Sequence, residues 1–204
     1  SPNEIFTDDG KSYYQKKTPL EIVTKGPSES MSKSKKNTID PEGIIENYGA
    51  DSVRLFVLSD SPPEKDVQWS EQGMKASYKF LQKLWLLHQT IKEKINLKNT
   101  SSNQLNNISK FTNQLIDKVT NNLEKFHYNG IVANLYETYN FMIKETDQPL
   151  DQKDLLINYK KILYLMMPLV PHFTSECLED LKITSKVEWP IANKKFLISK
   201  KIDM

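Results

Sequence analysis

The sequence predicts a mainly α protein: an up-and-down helical bundle preceded by a small α/β connecting region. Two patterns carry that expectation. From Ser70 onward, apolar residues return every three or four positions, the spacing that lays them along one face of a helix. Before Ser70 the chain is punctuated instead by Gly26, Pro27, Pro41, Gly49, Pro62 and Pro63, which confine it to short elements.

Residues 1–25 are polar, with a β-like run at Leu20-Glu21-Ile22-Val23 that stops at Gly26-Pro27. Residues 26–69 hold a loop and an α-rich connector. There Asp40 caps a helix that opens on Pro41 and closes at Gly49. A second short helix runs from Asp51 to about Ser59, burying Val53, Leu55, Phe56 and Leu58, until Ser61-Pro62-Pro63 stops it. Residues 70–182 form the bundle. Its first stripe is Met74, Tyr78, Leu81, Trp85, His88, Ile91 and Ile95. The polar run Lys98 to Asn103 leads to a second, Leu105, Ile108, Phe111, Leu115, Val119, Leu123 and Phe126. Ile131, Leu135, Tyr139 and Met142 make the third, and Leu155, Tyr159, Ile162 and Met166 the fourth, ended by Pro168 and Pro171. Residues 183–204 leave the bundle through Val187-Glu188-Trp189-Pro190, and Phe196 to Ile198 reads as the start of a strand. The missing initiator Met and the abrupt end give the expectation of a piece of a longer chain.

Charge narrows the function classes. The 28 basic and 26 acidic side chains among 204 residues leave +2, too little to grip nucleic acid through bulk charge, so any phosphate binding is local. Arg54 is the only arginine, so the positive groups are lysines, which meet phosphate as flexible point charges. One cysteine, Cys177, excludes an internal disulfide and a multi-thiolate metal site, and three scattered histidines do not replace it. No window approaches the roughly 18 apolar residues of a membrane span, and a soluble, cytoplasmic protein without metal ligands is expected.

Residues 28 to 37, SESMSKSKKN, are the chemically richest stretch. By composition they read as a solvated basic linker. The spacing is no Walker A loop, since no G-x-x-x-x-G-K-[ST] is present. Yet a mobile loop with Lys33, Lys35 and Lys36 among the hydroxyls of Ser32 and Ser34 suits a polyphosphate, because each ammonium can follow an oxygen as it gains charge. The order of residues favours the second reading. Met31-Ser32-Lys33-Ser34 resembles the last four letters of the KMSKS signature of class I aminoacyl-tRNA synthetases. The likeness continues through Asp40-Pro41, Tyr48-Gly49-Ala50-Asp51-Ser52-Val53-Arg54-Leu55-Phe56, Pro62-Pro63, and Asp66 to Ser70. Phe126-His127-Tyr128-Asn129, Pro168-Leu169-Val170-Pro171-His172-Phe173 and Glu188-Trp189-Pro190 resemble further family turns. The sequence is most similar to the leucyl enzymes; the isoleucyl, valyl and methionyl enzymes typically follow MSKS with one residue and Gly-Asn, where this chain has Lys35-Lys36-Asn37.

That resemblance implies a fold and a role. The bundle would be of the anticodon-binding type and would bind tRNA(Leu). The loop Ser30, Met31, Ser32, Lys33 and Ser34 would contact ATP, with Lys33 as the catalytic lysine and Gly26 as a hinge. Ser30 replaces the motif's first lysine. Leucine would bind outside this chain, as would the HIGH signature and any editing domain, so the fragment is not expected to be active alone. Magnesium is expected at the full active site, and the full enzyme is expected to be monomeric. The alternatives are an isoleucyl, valyl or methionyl enzyme, a non-catalytic helical RNA-binding module, and a protein–protein bundle with a basic arm.

Further candidates have structural readings beside functional ones. Lys75, Lys79 and Lys83, four apart, form a basic stripe that either touches tRNA phosphates or faces solvent. His88 falls on the apolar stripe and reads as a core histidine with its nitrogens satisfied. His172 is expected to cap or orient the next helix, and Asp51 to pair with Arg54 across one turn. Trp69, Trp85 and Trp189 read as packing residues, and Cys177 as a small core residue.

Overall fold

In the computed structural model, residues 5–7, 13–15, 22–23, 29–60, 62, 64–97 and 107–197 are described. The chain divides into two units, residues 1–43 and 44–204. In the first, β1 (Ile5–Thr7), β2 (Tyr13–Gln15) and β3 (Ile22–Val23) form an antiparallel sheet of order β1-β2-β3, with Phe6 opposite Tyr14 and Tyr14 opposite Ile22. Ile22-Val23 lies in the run that reads as β; the other two strands, three residues each, are too short to show the alternation that marks one. The Gly26-Pro27 turn lies outside the described residues, as do Lys98 to Asn103, Leu105 and Ile198.

Helix α1 (Pro41–Tyr48) starts where Asp40 accepts from the Glu42 N–H at 3.2 Å and the Gly43 N–H at 3.4 Å. It stops at Gly49, whose φ of +78° is open to glycine at little cost. Helix α2 (Ala50–Asp60) buries Leu55 and Phe56. Then come α3 (Glu71–Asn96), α4 (Asn107–Glu124), α5 (Tyr128–Thr146), α6 (Gln152–Met166) and α7 (Pro171–Asp180). Helix α6 is the most enclosed, burying Leu155, Tyr159, Ile162 and the whole of Leu163 to Met166.

Two caps fix where the long helices begin. Ser70 accepts from the Gly73 N–H at 3.1 Å to start α3, and Asp151 accepts from the Asp154 N–H at 2.9 Å to start α6. Gly73 also admits α2, because a β-carbon there would stand 2.7 Å from the Phe56 ring. Helices α4 and α7 end in paired closures: His127 N–H donates to Asn122 O at 2.8 Å, and Ile183 N–H to Leu178 O at 2.9 Å. These place Phe126 and Lys182 at φ +56°.

Several expectations are corrected. The buried line of α3 is Met74, Ser77, Phe80, Leu84, His88 and Ile91, whereas Tyr78 and Trp85 stand at its margin, each 36% exposed. Large aromatic residues keep a face to solvent while small Ser77 sits inward. Phe126 is exposed, turned out by its left-handed backbone. Trp69 meets Phe56 edge-on at 5.4 Å, but Trp189 is part-exposed and donates its indole N–H to Thr120 Oγ1 at 2.9 Å. Residues 194–196 form a 3-10 turn, not a strand, after Asn193 caps it through the Lys195 N–H.

The largest correction concerns Asp51 and Arg54, which do not pair with each other. Asp51 Oδ2 accepts from the Phe173 N–H at 2.7 Å, supplying the side-chain cap that Val170 cannot give α7. Arg54 donates through Nε to Leu169 O at 3.2 Å and through a terminal nitrogen to Pro168 O at 2.6 Å. Both therefore serve the unpaired backbone groups of the α6–α7 turn. Replacing Asp51 by Ala is expected to cost about 1–2 kcal/mol, the scale of a lost cap. Urea unfolding checks this, and an unchanged midpoint would overturn the capping role.

Candidate functional site

Residues 29–37 fold into a tight turn fastened by their own side chains. Asn37 Oδ1 accepts from the Ser32 N–H at 2.8 Å, and Asn37 Nδ2 donates to Ser30 O at 3.4 Å, so one amide bridges both arms. Ser32 Oγ accepts from the Lys35 N–H at 3.3 Å and lies 3.2 Å from Ser34 Oγ. The turn closes where the Lys36 N–H donates to Lys33 O at 3.2 Å, with Lys36 at φ +54°. Serine and asparagine suit this task because their short side chains compete for nearby backbone groups.

The three ammonium groups are not equivalent. Lys35 Nζ is held by Glu29 Oε2 at 2.9 Å. Lys33 and Lys36 are exposed and make no ion pair among the described residues. Ser30, Met31 and Ser34 are exposed as well, and Ser32 is half-buried as the hub of the turn. The loop therefore presents two positive charges without an ion pair among the described residues, on a backbone fastened by its own side chains. Sequence reading singles out Lys33 and the serines but misses the clasp by Asn37 and the tether by Glu29. An Asn closing a serine-rich turn is the signal that was there to find.

On α3, Lys79 and Lys83 point to solvent, whereas Lys75 pairs with Glu71 at 2.8 Å. The Glu71 hydrogen bond and charge raise the Lys75 pKa above its ordinary value. The three lysines share one helix face, but only Lys79 and Lys83 have no ion pair among the described residues. Among those residues, too, no group of His, Cys, Asp and Glu could hold a metal ion.

The histidines have structural places. His172 is exposed on the rim of a groove shared with Tyr48 and Tyr78, and Asp51 rather than His172 caps α7. His88 is fully buried, with Nδ1 3.0 Å from Tyr159 Oη and Nε2 3.0 Å from Asp180 Oδ2. Asp180 also receives Lys92 at 2.5 Å and the Gln89 amide at 3.5 Å. Burial pushes the His88 pKa below the ordinary histidine value, against the pull of Asp180 and with that of Lys92. Cys177, buried beside Tyr159, has its thiol pushed up to about 12, chiefly by desolvation, and is inert.

Comparison with known proteins agrees with this architecture. Residues 10–70 match the family described as tRNA synthetases class I (I, L, M and V), and residues 106–204 the anticodon-binding domain of tRNA ligase. A leucyl-tRNA synthetase of Agrobacterium radiobacter K84, solved in ternary complex with tRNA and LeuAMS, shares the fold. Its TM-score is 0.69 at 21% identity, over 83% of this chain and 23% of that one. The fold and both matches define a chain of the class I aminoacyl-tRNA synthetases. Within that class it belongs to the leucine–tRNA ligase family. It is 36% identical to the leucine–tRNA ligase of Bartonella tribocorum over 94% of its own length, 38% to that of Bartonella quintana over 94%, and 35% to that of Orientia tsutsugamushi over 96%. The chain spans about a quarter of the length of these relatives, 23% of each.

The His88 network makes a pH signature in the bundle. An unfolded His88 takes a proton near pH 6.5, whereas the buried, folded one resists it. Stability is then unaffected by His88 above that pH and is lost as pH falls below it. Asp180, held below its ordinary value first by the hydrogen bond from Lys92 and then by that from His88, adds a loss only at still lower pH. Unfolding midpoints between roughly pH 5 and 7 should fall with acid, and His88→Gln should flatten that slope. An unaltered slope in the variant would exclude His88 as its source.

Proposed function

We propose that this chain is the part of a leucine–tRNA ligase that handles the ATP phosphates and holds tRNA(Leu), for protein synthesis in the cytoplasm. The observation that carries the reading is the exposed, self-fastened turn holding Lys33 without an ion-pair partner among the described residues. The leucine carboxylate oxygen attacks the α-phosphorus of ATP, the bond to the bridging oxygen breaks, and pyrophosphate leaves with the electron pair. Negative charge grows on the β and γ oxygens. An ammonium positioned there is stabilising in the transition state more than in the ground state, which is what lowers a barrier. Ser30, Met31, Ser32 and Ser34 form the frame that positions Lys33.

Magnesium is assigned to the full active site, and the neutralisation that this loop adds is assigned to its lysines. Leucine is assigned to the remainder of the enzyme, which we take to act as a monomer. The exposed Lys79 and Lys83 face of α3, joined by Lys75, is assigned to tRNA phosphates, and no helix among the described residues is long and apolar enough to cross a membrane.

In the full-length ligase, Lys33→Ala should raise the activation barrier by roughly 2–4 kcal/mol, the scale for removing one preorganised donor. Leucine-dependent pyrophosphate exchange reports this, with tRNA affinity unchanged. Equal loss of both, or of neither, would overturn the assignment. Lys79→Ala should weaken tRNA binding and reduce the slope of log affinity against log salt by about one. A slope equal to the parent's would remove Lys79 from the interface.

A further inference from the structure

Among the described residues, three other than glycine have left-handed backbones: Lys36, Phe126 and Lys182. Two of these are explained by helix ends, where the paired closures of α4 and α7 demand such a residue and return backbone hydrogen bonds for it. Lys36 ends no helix. Its N–H makes one turn bond to Lys33 O at 3.2 Å, a bond that glycine would make as well, without the β-carbon penalty at φ +54°. A non-glycine residue held in such a region directs attention to its side chain.

That side chain is an exposed ammonium with no ion pair among the described residues, in a loop where Lys35 is already engaged by Glu29 at 2.9 Å. The Lys36–Lys33 bond places the two residues at the corners of one turn, where α-carbons stand within about 7 Å. Flexible four-carbon stems let both charges reach a single polyphosphate. The amide of Asn37 fastens the base of the turn, so the two lysines do not have to be gathered by the ligand.

We propose that Lys36 is a second phosphate-contacting residue, forming with Lys33 a two-ammonium clamp on the ATP triphosphate while Lys35 stays bound to Glu29. The inference rests on the reading of this loop as the ATP-handling element. It also gives the loop a means of carrying the charge that Ser30 does not supply. Ser30 lies on the opposite arm, its carbonyl held by the Asn37 amide at 3.4 Å, and a lysine there would restore the missing charge to the loop.

The test is steady-state pyrophosphate exchange in the full-length ligase, reading the Michaelis constants for ATP and leucine separately. Lys36→Gly relieves the backbone yet should lower kcat/KM for ATP on the order of tenfold, the size of one close, screened charge contact, with the leucine KM unmoved. Adding Ser30→Lys to Lys36→Gly should recover most of the loss. If Lys36→Gly equals or exceeds the parent while Lys33→Ala is crippled, the clamp is overturned and the loop's role stands. If Lys33→Ala keeps parental exchange, the reading of the loop fails, and the clamp with it.

Discussion

The turn between α6 and α7 sets the demand that organises the rest of the bundle. Pro168 and Pro171 bracket it, so α6 cannot continue and the carbonyls of Pro168 and Leu169 are left without helical partners. On the other side, α7 starts with backbone N–H groups that Val170 has no side chain to meet. A single turn of α2 answers both needs, Asp51 bonding the N–H of Phe173 and Arg54 the two carbonyls. Such bonds between a charged side chain and backbone groups are stronger than neutral ones. Because α2 is fixed there, Phe56 is fixed too. It packs on Trp69 and over Gly73, which sets the entry of α3 just after its Ser70 cap. Contacts between residues more than a hundred positions apart thus hold the helix that packs on the first turn of α3, which its own Ser70 cap begins.

The loop at residues 29–37 is built on the opposite plan. Among the described residues, each of its fastenings joins residues seven or fewer positions apart: Asn37 to Ser30 and Ser32, Lys35 to Glu29 and Ser32, Lys36 to Lys33. Its shape therefore follows from local sequence, without bulk positive charge from the rest of the molecule. That agrees with a net charge of only +2.

What was legible in the sequence divides along the same line. Helix spacing is a property of neighbours, so the helices and the caps at Asp40 and Gly49 could be read directly, whereas residues 28–37 read as a lysine-bearing mobile loop without the turn that Asn37 fastens. Which flank of α3 faces inward could not, because Tyr78 and Trp85 score as apolar yet hold the margin, while Ser77 is buried where the helices meet. The Asp51–Arg54 pair misled for a related reason. Opposite charges one turn apart do attract on an isolated helix, but only by a few tenths of a kcal/mol. The unpaired backbone of the α6–α7 turn competes with a larger desolvation penalty, and no spacing rule reveals a partner that distant.

Helix α7 shows why polar contacts matter in a bundle held mainly by apolar ones. It has only ten residues, and among them Thr174, Cys177 and Leu178 are buried. Two small side chains and one leucine leave sliding and rotation weakly opposed, since apolar contact is non-directional. Both ends are instead pinned: Asp51 holds the N-terminus, and His88, Gln89 and Lys92 of α3 converge on Asp180 in the last turn. A carboxylate at the C-terminal end opposes the helix dipole. Lys92 offsets that cost with its charge, and His88 does so by donating an N–H from a neutral ring, so that burial of His88 adds no second uncompensated charge to the core. Tyr159 of α6 completes the arrangement by meeting the other ring nitrogen, which joins α3, α6 and α7 at a single imidazole.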